Sequence, residues 1–389
     1  MAIKELFYDN RPQVLLDPRA SQRIDPRFKF TRDAIGTYVT SEKYIAIAQA
    51  NEPRFDHDSQ TGALNGLLNE SLATNYTTNS SGGNQIINSG IGSAAIVTNI
   101  VTPYGYTSEC RNIVHGSTTK SGYYRVGGTV NITQGVQYTV SCFVRNPNNH
   151  PFEQSRSGTE LGIHLYRQGT GQNANVGFLS AAMKKEVFPN HWKRYSATFT
   201  AKDTATVDGF FSVILNSPTY LNWNYQLWGF QIEQGSTSTS YIPTSGSAVT
   251  RAADLLSVEA PLPASGSVYI DARAITANEN DTLLSLKNSS NDKIDLAYLS
   301  DASTYNSLAL IANYDGTSKT SLPLPVPTTD RERNIITWGS QNYQYTRGSS
   351  RFATSLSSSV PTDLNKLSIG HDAVDPTKAF NGYINTVYA

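Results

Sequence analysis

The sequence predicts an all-β protein: a small N-terminal β-rich adaptor followed by two β-sandwich domains of jelly-roll type. Three observations carry this. Apolar and polar residues alternate with period 2 along much of the chain, whereas a helical period is nearly absent. The polar residues are mostly Ser, Thr, Asn and Gly, and Tyr outnumbers Phe by 22 to 14, a composition of strands and turns. At 389 residues, with 38% of them apolar, the chain is long enough for two or three packed domains.

Residues 1–80 are the most charged part and include "RIDPRFKFTRDAIGTYVT" and "NEPRFDHDSQTGALNGLLNE"; they form the expected adaptor. Residues 84–245 read as a run of short strands. In "YTVSCFV", Tyr138, Val140, Cys142 and Val144 face one way and Thr139, Ser141 and Phe143 the other. In "ELGIHLYR", Leu161, Ile163 and Leu165 oppose His164 and Tyr166. In "RYSATFTA", Tyr195, Ala197 and Phe199 do the same against Ser196, Thr198 and Thr200. Trp192 and Trp228 belong to the strongest strand patterns and are expected in the core. Only "SAAMKKEVF", residues 180–188, suggests a helical turn or two. Residues 255–389 begin a second strand series, with Val268 and Ile270 opposing Tyr269 and Asp271. Between the two series, "TSTSYIPTSGSAVTRAAD" reads as a domain junction: Pro243 and Gly246 end one sandwich, and Arg251 to Asp254 lead into the next.

Lys plus Arg and Asp plus Glu balance at 31 each. A net charge of zero gives no long-range attraction to nucleic acid or anionic membranes, and neutral partners such as sugars or proteins fit better. No stretch approaches 18 consecutive apolar residues, so no membrane insertion is expected. The opening "MAIKELFYDNRPQV" lacks the apolar segment of a signal peptide, which points to synthesis in a cytoplasm. Cys110 and Cys142 are the only cysteines, too few for a disulfide scaffold or a zinc cluster. Buried thiols are the expectation, with a single bridge as the alternative.

Sharp catalytic signatures are missing. "FDHD" offers Asp56, His57 and Asp58, but alternate strand residues point to opposite faces, so His57 turns away from both carboxylates. A polar strand beside a turn, its carboxylates held by Arg54 or backbone amides, is the expected structure. Glycoside hydrolysis needs two carboxylates across a sugar, and Glu109, Glu160, Asp271 and Asp295 are scattered. Neither a nucleophile elbow, a zinc-protease pattern nor a phosphate loop is present. No enzymatic activity, cofactor or metal is expected.

Sugar binding fits better, because pyranose C–H faces stack on aromatic rings while hydroxyls need polar partners. "SGYYRVGG" supplies Tyr123, Tyr124 and Arg125. "GIHLYRQ" supplies His164, Tyr166 and Arg167. "YLNWNYQ" places Trp223 and Tyr225 among Asn222 and Asn224 in a turn-like run. For each of these, filling the sandwich core is the competing role, since aromatics in strands usually do that.

The stretch "FTRDAIGTYVT" followed by "NEPRFDHDSQTGALNGLLNESLATNY" resembles the N-terminal segment of tailed-bacteriophage virion proteins. The likeness runs through Phe30, Thr31, Arg32, Thr37, Tyr38, Pro53, Arg54, Phe55, Asp56, Thr61, Gly62, Gly66, Leu67, Leu68 and Glu70. "GVQYTVSCFVR", "HWKRYSATFTA" and "LWGFQIEQGSTSTSYIPTSGSAVTRAADLLSV" resemble a jelly-roll carbohydrate-binding module. "NIITWGSQNYQYTRG" and "LSIGHDAVDPTKAFNGYINTVYA" resemble a concanavalin or laminin-G sandwich. The resemblance implies a virion protein of a tail, fibre or other appendage, joined to other virion proteins through residues 1–80. It also implies a homo-oligomer, expected as a trimer, that recognises host surface glycan. A purely structural baseplate, neck or fibre connector is the alternative, and a polysaccharide depolymerase a third.

Overall fold

The computed structural model describes residues 14–81, 93–114, 122–147, 160–167, 191–214, 224–276, 278–300, 306–315, 317–320, 324–325, 331–339, 342–348, 352–357 and 361–388. All regular structure among them is β-strand. The helical turn expected at residues 180–188 lies outside the described residues.

The first part contributes β1 (Val14–Leu16), β2 (Lys29–Thr31), β3 (Gly36–Val39), β4 (Ile45–Ala48), β5 (Phe55–His57), β6 (Leu64–Asn69) and β7 (Ala73–Asn75). The middle part contributes β8 (Ser93–Val101), β9 (Thr107–Val114), β10 (Gly122–Ile132), β11 (Gln137–Arg145), β12 (Glu160–Arg167), β13 (Lys193–Thr200), β14 (Ala205–Ile214) and β15 (Asn224–Gln234). The last part contributes β16 (Val249–Arg251), β17 (Leu255–Glu259), β18 (Gly266–Thr276), β19 (Thr282–Lys287), β20 (Lys293–Ser300), β21 (Asn306–Tyr314), β22 (Thr317–Thr320), β23 (Leu324–Pro325), β24 (Arg331–Gly339), β25 (Asn342–Arg347), β26 (Phe352–Ser357), β27 (Lys366–Ile369) and β28 (Asn381–Tyr388).

The last part is a sandwich of two eight-stranded sheets. One runs β26-β25-β24-β18-β28-β6-β5, with β1 also on β28; the other runs β2-β17-β27-β19-β20-β21-β22, with β23 on β21. Alternation does the sorting. On β24, Glu332, Asn334, Ile336 and Trp338 turn inward while Arg331, Arg333 and Ile335 stay outside. Val268, Ile270, Ile336 and Tyr345 of one sheet share a core with Leu284, Leu286, Leu296, Leu310 and Leu367 of the other.

The middle part has a five-stranded sheet, β13-β11-β15-β9-β8, and a three-stranded sheet, β10-β14-β12. β11 lies between β13 and β15 and is buried on both faces from Tyr138 to Val144, so the polar side expected for Thr139 and Ser141 is covered as well. Their hydroxyls are satisfied internally: Thr139 meets Thr198 at 2.7 Å, and Ser141 accepts from Arg194 at 2.9 Å. Cys110 and Cys142 are free and buried, and burial pushes their thiols up to about 11 and about 12.

The described residues of the 1–80 segment are β-rich, as expected, and their strands pair with those of the last part. β1, β5 and β6 extend the sheet of β28, β2 pairs with β17, and β7 pairs with β16. Leu16, Phe28, Phe55 and Leu67 sit in the C-terminal core. β2 and β6 pair with β17 and β28 and so occupy strand edges those two would otherwise leave open.

Candidate functional site

Residues 237–254 are the place where the three parts of the chain meet. Tyr241 is buried against Trp228, with ring centroids 4.5 Å apart, and its hydroxyl meets the Ser80 hydroxyl at 2.6 Å. Thr37 of β3 donates to the Tyr241 carbonyl, and the Asn75 side chain of β7 donates to the Ile242 carbonyl at 2.8 Å. Arg251 and Asp254 then enter a buried ionic cluster with Arg32, Arg54 and Glu70, all five almost fully removed from solvent. Asp254 accepts from Arg32 at 3.0 Å, from Arg54, and from the Glu70 amide at 2.9 Å. Glu70 pairs with Arg54 at 2.8 Å and with Arg251 at 3.4 Å, and accepts from the Ser240 amide and hydroxyl at 2.6 and 2.7 Å.

Buried charges persist only when paired and hydrogen-bonded, and the titration follows that rule. Burial pulls the Arg54 guanidinium down, but Asp254 and Glu70 outweigh it and raise it. Burial likewise raises the Glu70 carboxyl, and Arg251, Arg54 and the Ser240 hydrogen bonds bring it down to about 2. The cluster pairs each of its charged groups with another of opposite sign. Its work is to fix the first part of the chain against the junction.

That fixation positions the β3–β4 hairpin. The hairpin tip carries Lys43 and Tyr44 and docks on the turn between β8 and β9. The Ile45 amide donates to the Pro103 carbonyl at 2.7 Å. The Tyr44 ring lies directly on Gly105, where a Cβ would fall 2.8 Å from it; Gly105 has φ of 78°, so the turn favours glycine on both counts. Nearby, Asp58 folds the segment after β5 into a tight turn by accepting from the Gln60 and Thr61 amides at 3.0 and 2.7 Å.

A cleft of about 350 Å³ opens between these pieces and the middle sandwich, lined by Lys43, Tyr44, Gln60, Arg145, His191 and Trp192. Tyr44 is 46% exposed. Trp192 is half-buried, packs one side on the core of Cys110, Phe143, Trp228 and Tyr241, and donates its indole N–H to the Val101 carbonyl at 2.8 Å. Its ring is therefore held by the protein while still lining the cleft. The His191 imidazole meets the Gln60 side-chain oxygen. The cleft thus combines two aromatic rings, an amide, an imidazole and cations, in a volume within the range of roughly 300–1,000 Å³ usual for small-ligand sites.

A second cleft of about 270 Å³ adjoins it, lined in part by Asp56, Glu70, Arg194, Tyr241 and Tyr383. Its polar groups are largely committed to the protein. Asp56 accepts from the Val39 amide at 2.7 Å, Asn65 at 3.2 Å and the Tyr383 hydroxyl at 3.0 Å. Burial raises its carboxyl. Arg194 donates to the Thr239 carbonyl at 2.5 Å and to Ser141. His57 holds the Val39 carbonyl at 3.0 Å. The "FDHD" run is accordingly a hydrogen-bonded strand and turn, its carboxylates on backbone amides rather than on Arg54.

The candidates read from sequence fall on two sheets. Tyr123, Tyr124, His164, Tyr166 and Arg167 lie in the three-stranded sheet, where β14 pairs with both β10 and β12. Tyr124 and Ile163 flank Phe211, and Arg125 and His164 flank Phe210. Asn224 and Tyr225 lie in the five-stranded sheet, paired with Val114 and Ile113 of β9. They are strand residues and not part of the expected turn-like run. The pairing of β15 with β9 reaches Asn224, inside the Asn-rich run. Trp223 and Asn222 lie outside the described residues. Trp228 is core, as expected; Trp192, also expected in the core, is only half-buried and faces the cleft. Tyr44 and Lys43 were not legible as site residues, because "EKYIAIA" reads as a plain strand and its docking partner lies about 60 residues further on. Among the described residues, no group of three or more His, Cys, Asp and Glu is arranged to hold a metal.

No protein-family model matches the chain, and no curated protein matches it. Among solved structures it is similar to the N-terminal CBM22-1–CBM22-2 tandem domain of Xyn10C from Paenibacillus barcinonensis, with TM-score 0.27 and 11% identity over 83% of this chain and 98% of that one. It is similar to the LG1-3 region of the laminin alpha2 chain, with TM-score 0.24 and 12% identity over 69% of this chain and 63% of that one. It is also similar to GH43B of a Bacteroides ovatus xyloglucan locus, with TM-score 0.25 and 10% identity over 93% of this chain and 97% of that one. TM-scores of this size carry no functional weight, and the reading of the site rests on its residues.

Proposed function

We propose that this chain is a glycan-binding component of a tailed-phage virion, in a tail fibre or other receptor-binding appendage, and that it is not an enzyme. The observation that carries glycan binding is the cleft in which Tyr44 and Trp192 stand among amide, imidazole and cationic groups. Rings held in place by packing contribute contact at low ordering cost, and the polar groups around them fix orientation. The virion role rests on the sequence resemblance over residues 28–76. A homo-oligomer, with a trimer as the working assumption, multiplies a weak site into useful avidity.

The test is adsorption to host cells and glycan-array binding by Tyr44→Ala. An exposed ring that anchors a sugar costs on the order of 1–3 kcal/mol of binding when removed. Unchanged adsorption and array binding would remove the site.

A second reading, a connector without a ligand, is favoured by the buried ionic cluster, which makes the junction a rigid brace between parts of the chain. It predicts no array binding at all.

A further inference from the structure

The cleft has a charge bias that the neutral total conceals. Lys43 and Arg145 contribute two cations to its lining, against one carboxylate, Glu42. The Glu42 side chain is exposed and accepts from the Ser41 hydroxyl at 2.9 Å. His191 reports the same bias: burial and then the charges of Lys43 and Lys193 lower its pKa, so this side of the cleft lies in a positive field.

The backbone adds an independent observation. Lys43 sits at the hairpin tip with φ of 71°, in the left-handed region. Its amide donates to the Thr40 carbonyl at 2.9 Å, and the turn is closed by Thr40 donating to Tyr44 at 2.8 Å. Glycine or asparagine adopts that conformation with less strain. A lysine there takes on that strain, and its side chain runs beside Gly62, where a Cβ would stand 3.6 Å from the Lys43 Cε. Strain retained at a cleft wall is the kind of outlier that points to a working residue.

We infer that the cleft takes a sugar bearing an anionic substituent, most simply a uronic-acid carboxylate, with Lys43 and Arg145 holding the anion and Tyr44 and Trp192 flanking the ring. This rests on the glycan-binding reading above and narrows its ligand class. A guanidinium matches the two oxygens of a carboxylate, while an ammonium acts as a compact point charge that tolerates several orientations. Together they favour a charged sugar over its neutral counterpart without needing a net charge on the whole protein.

The experiment uses the full chain and matched ligand pairs in calorimetry: oligogalacturonate, hyaluronan oligosaccharide and sialyllactose, each against its methyl ester, with a sulfated galactose oligosaccharide as a separate arm. The expected result is at least one acid bound about tenfold or more tightly than its ester, a difference of about 1.4 kcal/mol. Binding of that acid should weaken at high salt. Lys43→Asn should relieve the turn, leave or raise the melting temperature, and lose most of the acid-over-ester preference. Preference for the sulfated arm alone would assign the anion to sulfate and overturn the carboxylate assignment. Esters bound as tightly as acids would overturn the charge inference and leave glycan binding standing. No binding by any member at millimolar concentration would overturn both.

Discussion

Asp254→Asn is the sharpest perturbation of the junction. The substitution keeps the side-chain shape and removes one of two negative charges from a buried group containing three arginines. Arg32 loses its only carboxylate in the cluster, at 3.0 Å, and Arg54 is left with Glu70 alone, at 2.8 Å. The Glu70 amide, which donates to Asp254 at 2.9 Å, keeps an acceptor only if the new amide oxygen faces it. Breaking a buried pair while its partner stays charged costs about 3–5 kcal/mol. With about 2–4 °C per kcal/mol for a large domain, the melting temperature should fall by roughly 6–20 °C. Calorimetry on the full chain reads this directly. The control is Asp375→Asn, which removes an exposed pair with Lys378 at 3.8 Å and should change stability by less than about 1 kcal/mol. A melting temperature for Asp254→Asn within 2 °C or so of the parent would refute the claim that this cluster holds the junction.

Two other outcomes follow from the same structure. Glu70 and Asp281 should give opposite pH dependences. Glu70, lowered to about 2, contributes stability that is fully present above about pH 4.5 and lost as pH falls through about 2. Asp281 is raised to about 6 by burial, although Asn278 donates to it twice, so its contribution declines as pH rises from about 4 to about 6. Urea midpoints measured from pH 4 to 7 should show a shallower decline in Asp281→Asn than in the parent, the remainder belonging to Asp295, which burial also raises to about 6. Deleting residues 1–80 should prevent folding rather than release soluble sandwiches. It removes Leu16, Phe28, Phe55 and Leu67 from the C-terminal core, each worth about 1.5–3 kcal/mol, against a total stability of order 5–15 kcal/mol. Soluble, cooperatively unfolding protein after the deletion would contradict the shared-core assignment.

The strands were legible because their signal is local. The alternation at 138–144 is β11, that at 195–199 is β13, and that at 268–270 is β18. What alternation cannot show is how many faces are covered, and β11, in the middle of its sheet, is buried on both. The junction was recognisable from Pro243, Gly246 and the Thr-Arg-Ala-Ala-Asp run, but its purpose was not. Arg32 and Arg54 lie 222 and 200 residues from Asp254, and no periodicity encodes a pairing at that separation. The cleft was hidden for the same reason. Tyr44 and Trp192 belong to different parts of the chain and come to line one cleft because the β3–β4 hairpin docks on the Gly105 turn. The polar-aromatic runs at 123–125, 164–167 and 222–225 stand out by composition, yet the described residues 123–125 and 164–167 lie in one sheet and Asn224 and Tyr225 in another.

The central claim is that a glycan lies between the β3–β4 hairpin and the middle sandwich. A crystal structure of the full chain soaked with the tightest-binding oligosaccharide of the matched panel tests it most directly. The account predicts a sugar ring stacked on Tyr44 or Trp192, with its polar substituents within hydrogen-bonding reach of Gln60, His191 or Lys43. A sugar bound instead along β10, β14 and β12, with this cleft empty, would contradict it.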